Sequence, residues 1–395
     1  MRLYSGLTCN HKKLLLPKST LLTFSCILAL LITGSSCKKG NNPSPETPAE
    51  GSTNNSYFTA IATSDNNSLA VDDKGGLWGA GENNGMVLGT GNAEIQKKFV
   101  HVSDKVKDVS ISESRSLIIK TDNSVWTCGK NTFGDLGTGG YEPTNGVFVK
   151  VAEGGDQIQA DHNNGYIVKS DHTLWAAGFN YFNQFGPGFT KAEVIGKYTK
   201  IADNVAAVST GRSCIFMLKT DHSLWACGQN VWGQLGLGNK TDQYGFVKVM
   251  DNVKAVKAAE FHSLVIKTDN SLWAAGDNDF GELGTGNKTG QTRFVKIMDG
   301  VKAVTGGEYF SLAIKTDNSL WATGYNSFGT FGIASPDQTR FIHVMDNVAE
   351  VTAYIYHAFI IKADKTLWAT GDNTYYPLGT GDREDLSVFT KVKLD

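Results

Sequence analysis

Proline is scarce, at 8 of 395 residues, about 2% where roughly 5% is usual. That excludes collagen-like and proline-rich architectures. Cysteine is scarce too, with six in all, of which Cys128, Cys214 and Cys227 lie in the main body of the chain. Three thiols imply no disulfide framework. No charge sign dominates: 37 basic residues face 39 acidic ones, a net charge of -2. A strongly basic nucleic-acid binder is therefore excluded. No apolar run reaches the ~20 residues that span a bilayer comfortably. Catalytic signatures are missing as well. There is no Gly-x-Ser-x-Gly elbow, no His-Glu-x-x-His pair and no phosphate-binding loop. The 19% of charged and 41% of hydrophobic residues exclude a mostly disordered chain.

What is abundant is glycine, 44 residues, about 11% against a usual 7%. Glycine-rich, aromatic and moderately polar is the profile of a turn-rich β protein.

Residues 1–36 carry Arg2, Lys12, Lys13 and Lys18 and no acid. A short apolar run at 21–32 follows, then Gly34-Ser35-Ser36 and Cys37. Basic region, apolar region and small-residue site describe a secretory signal. The segment Ser36-Cys37-Lys38-Lys39 resembles the lipoprotein signals of Bacteroidetes-type bacteria. That resemblance implies lipidation of Cys37 and a place in the Gram-negative cell envelope, at the outer membrane or cell surface. Residues 37–56 hold three of the eight prolines with Ser, Asn and Gly, and read as a lipidated, flexible tether. Loss of 1–36 removes four basic residues, leaving 37 - 4 = 33 against 39 acids, a mature charge of -6.

Residues 57–395 are one repeat array. Seven of the eight tryptophans stand at 78, 126, 175, 225, 273, 321 and 368, spaced by 47 to 50 residues. Such a period signals a propeller or solenoid. In the clearest unit, Phe294 to Ile297 begins a short strand. Val301 to Thr305, Ser311 to Lys315 and Ser319 to Ala322 are three more, and a glycine-rich loop follows. Four short strands with turn residues between them make one propeller blade. The first unit, starting at Tyr57, lacks the aromatic-Val-Lys strand, whereas the chain ends on Phe389-Thr390-Lys391-Val392. The expectation is an all-β, seven-bladed propeller whose C-terminal strand closes the ring by pairing with the N-terminal blade.

The loop Gly276-Asp277-Asn278-Asp279-Phe280-Gly281-Glu282-Leu283-Gly284-Thr285-Gly286 resembles the signature of RCC1 repeats (regulator of chromosome condensation type). It recurs from Gly228 to Gly238 and from Gly129 to Gly139. The resemblance implies a seven-bladed propeller. It departs from the family where Trp usually precedes the first glycine: here that place is small, and Trp sits two positions earlier. The eponymous member exchanges nucleotide on a small GTPase, a role that export from the cytoplasm opposes. A plant photoreceptor relative uses a tryptophan-bearing loop, which here reads Glu260-Phe261-His262-Ser263 without Trp.

Columns fixed across all units read as architecture: Asn83, Asn131, Asn180, Asn230, Asn278, Asn326 and Asn373 as loop-bracing amides, and the tryptophans as packing between blades. Variable columns read as candidates for recognition. The three residues before the Ser311-type strand change from unit to unit and ring one disk face, together with the long glycine loop. They supply the candidate partner-binding residues Arg115, His162, Arg212, Glu260, Phe261, His262, Glu308, Tyr309, Phe310, Tyr356 and His357. No metal is expected, because His162, His262 and His357 lie on separate blades. No cofactor and no catalytic residue are expected either. The function that follows is a membrane-anchored, non-catalytic, monomeric scaffold that binds a protein or glycan but no nucleic acid. The alternative is an exported hydrolase or lyase with a site in the loop ring.

Overall fold

A computed structural model describes residues 57–186 and 188–394. The expected signal, the tether and Cys37 lie outside the described residues. Those residues form 28 strands in seven antiparallel four-stranded sheets, the expected propeller. Among them no helix is long and apolar enough to cross a membrane.

Each blade takes four consecutive strands. In blade 1 these are Phe58–Thr63, Asn67–Asp72, Leu77–Gly81 and Gln96–Ser103. The first strands line a central cavity of about 210 Å3, through Thr63, Ser110, Gln159, Thr210, Lys257 and Thr352 among others. A bulge recurs near the start of each first strand, as between Val301 and Ala303, and adds local twist.

The unit boundary corrects the sequence expectation. The aromatic-Val-Lys strand does not open a blade. Gln291–Met298, for example, pairs with Leu272–Gly276 as the outer strand of the sheet that begins at Val253. A cyclic four-strand pattern can be cut at any strand, and the sequence alone does not say which neighbour a strand pairs with. The first blade therefore lacks nothing. The C-terminal strand, Leu386–Lys391, pairs with Leu367–Gly371 of its own blade and not with the N-terminal blade. Side chains and loop contacts close the ring instead. Phe58, Ala80 and Phe99 of blade 1 share one cluster with Phe359, Leu367 and the C-terminal Val392. The Phe58 amide also donates to the Lys365 carbonyl at 2.9 Å.

The second strand of each blade is buried on both faces, so its alternate side chains fill two different seams. Leu312 and Ile314 pack with Ala358 and Ile360 of blade 7. Ala313, between them, joins Leu264 and Leu283 of blade 5. Trp78, Trp126, Trp175, Trp225, Trp273 and Trp368 pack in these seams as expected, Trp273 lying against the Phe216 and Leu235 cluster of blade 4. A turn relay fixes the tryptophan of every blade but the first, where Trp78 donates to Asp72 directly. Asp317 accepts from the Ser319 amide (2.9 Å) and hydroxyl (2.6 Å), and Ser319 accepts from the Trp321 indole at 2.8 Å.

The asparagine column braces the long loop. The Asn278 amide donates to Thr285 Oγ1 (3.1 Å) and to the Asn287 (2.9 Å) and Thr289 (3.1 Å) carbonyls. Its oxygen accepts from the Leu283 amide at 3.0 Å. Cys128, Cys214 and Cys227 are buried free thiols.

Candidate partner-binding face

One glycine column joins the two loop families into a single face. Gly276 has φ +118°, and a Cβ there would lie 2.5 Å from the Phe261 carbonyl oxygen. No other residue allows that approach. The next amide, of Asp277, donates to the same carbonyl at 3.0 Å. Gly324 repeats the arrangement with Tyr309, and Gly371 with Tyr356. The variable triplet is thereby clamped beside the long loop on every blade.

The clamp splits each triplet. Its third residue already belongs to the second strand and enters the seam. This corrects four candidates: Arg115, His262, Phe310 and His357 are all at most 2% exposed and cannot meet a partner. Arg115 pairs with the buried Asp135 and donates to the Asp161 (2.9 Å) and His162 (2.8 Å) carbonyls of blade 3. His262 Nε2 meets Ser311 Oγ of blade 6 at 2.8 Å. His357 Nε2 meets Thr63 Oγ1 of blade 1 at 2.5 Å, across the closing seam. Burial holds both imidazoles neutral, pushing His262 down to about 3 and His357 down to about 4. His262 is therefore closed to a substrate as well as to a partner.

The first two triplet residues do reach the surface. His162, Glu260, Phe261, Glu308, Tyr309 and Tyr356 are partly exposed and Arg212 is exposed. Glu113 and His162 form a pair at 3.1 Å, which lowers the carboxyl and raises the imidazole. Burial, with help from Glu308, raises the Tyr309 and Tyr356 hydroxyls.

The structure adds residues that the sequence reading missed. Phe261, Tyr309 and Tyr356 are not isolated tips. They belong to an unbroken arc of seven rings across blades 4 to 7. Trp232 meets Phe261 at 5.4 Å between ring centroids, and Phe261 meets Tyr309 at 5.8 Å. Tyr309 meets Phe280 at 4.7 Å, and Phe280 meets Tyr325 at 5.2 Å. Tyr325 meets Phe328 at 6.1 Å, and Phe328 meets Tyr356 at 4.6 Å. A second arc, Phe133, Phe179, Tyr181, Phe182 and Tyr244, covers blades 2 to 4. The signal was present in the repeats. Two residues after the fixed asparagine the chain reads Gly85, Phe133, Phe182, Trp232, Phe280, Phe328 and Tyr375. That aromatic column lay outside the triplets.

Acids surround the inner rim. Asp65 is pushed up to about 6 by burial and by Glu113, Asp372, Glu308 and Glu82. Glu260 is raised mainly by burial, against the pull of His162 and Arg212. Among the described residues no group of three His, Cys, Asp or Glu side chains is placed to hold a metal ion.

Fold and face together define a seven-bladed propeller with a rigid aromatic loop surface. Residues 106–135, 253–282 and 301–330 match the regulator of chromosome condensation (RCC1) repeat. Solved structures agree on the fold. Prp20p from Saccharomyces cerevisiae, in a structure reported with its binding properties to Gsp1p and histones, superposes with a TM-score of 0.71 at 19% identity. The match covers 82% of this chain and 88% of that one. Yeast RCC1 (Prp20) bound to Kap60 gives 0.69 at 18% identity, over 93% and 91%. Human WBSCR16 gives 0.67 at 17% identity, over 78% and 88%. These matches support the RCC1-repeat family. No curated protein matches the chain in sequence.

Proposed function

We propose that this protein is a non-catalytic binding scaffold, lipid-anchored through Cys37 in the bacterial cell envelope, whose loop face holds a protein or glycan partner. The observation that carries the reading is the seven-ring arc. Aromatic side chains lose little conformational entropy on binding and dominate recognition surfaces. Here they are partly open to solvent on loops that buried asparagines and a glycine clamp hold rigid. Neighbours of the same fold are reported bound to, or binding, proteins, which makes a protein partner a natural first test. The anchor rests on the sequence around Cys37, and Cys37→Ser should abolish lipid labelling and membrane retention.

The test compares envelope proteins and glycans retained by the wild-type chain and by the triple variant Phe261→Ala, Tyr309→Ala, Tyr356→Ala. Loss of specific partners with an unchanged melting curve supports the reading. An unchanged partner set rejects this face.

A further inference from the structure

The charges bordering the arc specify its partner further. Resting on the loop face as the binding surface, we infer that its occupant is a protein segment presenting lysine or arginine side chains.

The arc and its border carry opposite requirements for any other ligand. Glu260 precedes Phe261, Glu308 precedes Tyr309, and Asp277 and Asp279 flank the Asn278 that leads to Phe280. Together with burial, Glu308 raises the Tyr309 and Tyr356 hydroxyls, so its carboxylate sits among the rings. Beyond the arc, Asp65 is raised by burial and also by Glu113, Asp372, Glu308 and Glu82. On this side of the face Lys240 offsets Asp277, while Glu308 and Asp65 lie among further acids. Arg212 and His162 lie toward blades 3 and 4 and act on Glu260 and Glu113.

A neutral glycan would stack on the rings and could donate hydroxyls to these carboxylates, but it would leave their charge uncompensated, whereas a cation pairs with it. Nucleic acid or an acidic polymer would be repelled. A cationic side chain satisfies both elements, because its charge meets the carboxylates while it lies over a ring face. The protein already uses two rings of the arc in this way. The Arg212 guanidinium lies 5.7 Å from the Phe261 centroid, and Lys288 Nζ lies 5.8 Å from the Phe280 centroid. Among the described residues no cation lies over Tyr309, Tyr325, Phe328 or Tyr356, the rings on the side of Glu308 and the acidic rim. These are the positions left for a partner to fill.

The experiment uses the full chain in detergent and three fluorescent probes. One is an eight-residue peptide alternating Arg and Ser, one is the same peptide with Glu for Arg, and one is a neutral hexasaccharide. The Arg peptide should bind, and binding should weaken about tenfold between roughly 50 and 300 mM salt. Glu308→Gln combined with Asp65→Asn should weaken it at least about fivefold. Tyr356→Ala should weaken it by about threefold or more, as a lost ring contact does. None of these variants should melt below wild type, and loss of the Asp65 charge should raise the melting temperature. Failure of the Arg peptide to bind overturns the inference. So does hexasaccharide binding that needs the rings but ignores Glu308→Gln, a result that leaves the binding face intact and makes the partner a glycan. If the Arg peptide binds equally to the Phe261, Tyr309 and Tyr356 triple variant, the attraction is diffuse charge, and both the inference and the face are rejected.

Discussion

Replacing Glu282 by glutamine should stabilise the propeller. Glu282 is fully buried, and its Oε2 accepts from the Phe280 amide at 2.9 Å, but its Oε1 has no partner. Burial pushes its carboxyl from 4.5 up to about 8. The repeats show what this position requires. In blade 3 it is Gln184, whose oxygen accepts from the Phe182 amide at 2.9 Å and whose Nε2 donates to the Phe179 carbonyl at 2.8 Å. In blade 6 it is Thr330, whose hydroxyl donates to the Tyr325 carbonyl at 2.9 Å. Both reach the carbonyl five residues back, which for Glu282 is that of Asp277. A glutamine would supply the missing donor without a charge. Because the folded carboxyl titrates higher than the unfolded one, the folded state binds the extra proton between 4.5 and about 8. The stability from this group is complete below the unfolded value and is lost as pH rises through the folded value. With each unit worth about 1.4 kcal/mol, about 3 kcal/mol is lost by pH 7. Glu282→Gln should recover about 2 to 3 kcal/mol there and flatten the pH dependence. Urea midpoints from about pH 5 to 8.5, at constant slope, measure both effects. A loss of stability would refute the reasoning. It would mean that the carboxylate is ionised in the fold and held by a cation, as Asp135 is held by Arg115.

Two other substitutions test the frame. His357 titrates below its unfolded value, so its stability is present above 6.5 and lost as pH falls toward about 4. That is roughly 3 kcal/mol, and His357→Gln should remove this acid-side loss in denaturation curves compared with wild type. Gly324→Ala would place a Cβ 2.3 Å from the Tyr309 carbonyl oxygen at φ +102°, costing about 3 kcal/mol or more. A melting curve within a degree of wild type would show that the clamp is dispensable.

The fold was legible because the repeat announces itself seven times. Trp273 and its equivalents fix the period, and the asparagine column marks the loop. The phase was not legible. Phe294 is apolar and β-forming whether its strand opens one blade or closes the one before. Hydrogen bonding decides that, and it leaves the same alternation in the sequence. The site was half legible. Glu308, Tyr309 and Phe310 look equally variable across the units, yet only the first two reach solvent. Variation at the third position has a different origin, since each seam accepts its own solution. Arg115 reaches backbone carbonyls across its seam, His262 and His357 reach hydroxyls across theirs, and Phe310 fills its seam with carbon. The arc was not legible because Trp232, Phe280 and Phe328 sit in the glycine loop, far in sequence from the triplet rings they meet in space.

That division between second and third triplet positions has a direct test in one pair of neighbours. Tyr309 and Phe310 are adjacent aromatics on one blade, and composition cannot distinguish them. The Gly324 clamp fixes the Tyr309 carbonyl, so the strand begins one residue later and the next side chain must turn inward. Phe310 consequently packs with Phe331, Ile360 and Phe389 in the seam between blades 6 and 7, while Tyr309 touches Phe261 and Phe280 on the open face. Phe310→Ala should cost about 3 to 5 kcal/mol through the cavity it leaves. Below the melting temperature, the remaining folded molecules should still bind through the face. Tyr309→Ala should cost less than about 1 kcal/mol of stability and should weaken partner binding. Chemical denaturation and titration of the same two variants give four numbers. If binding falls in proportion to stability for both, face and frame are not separable, and the variable loops serve the ring rather than a partner.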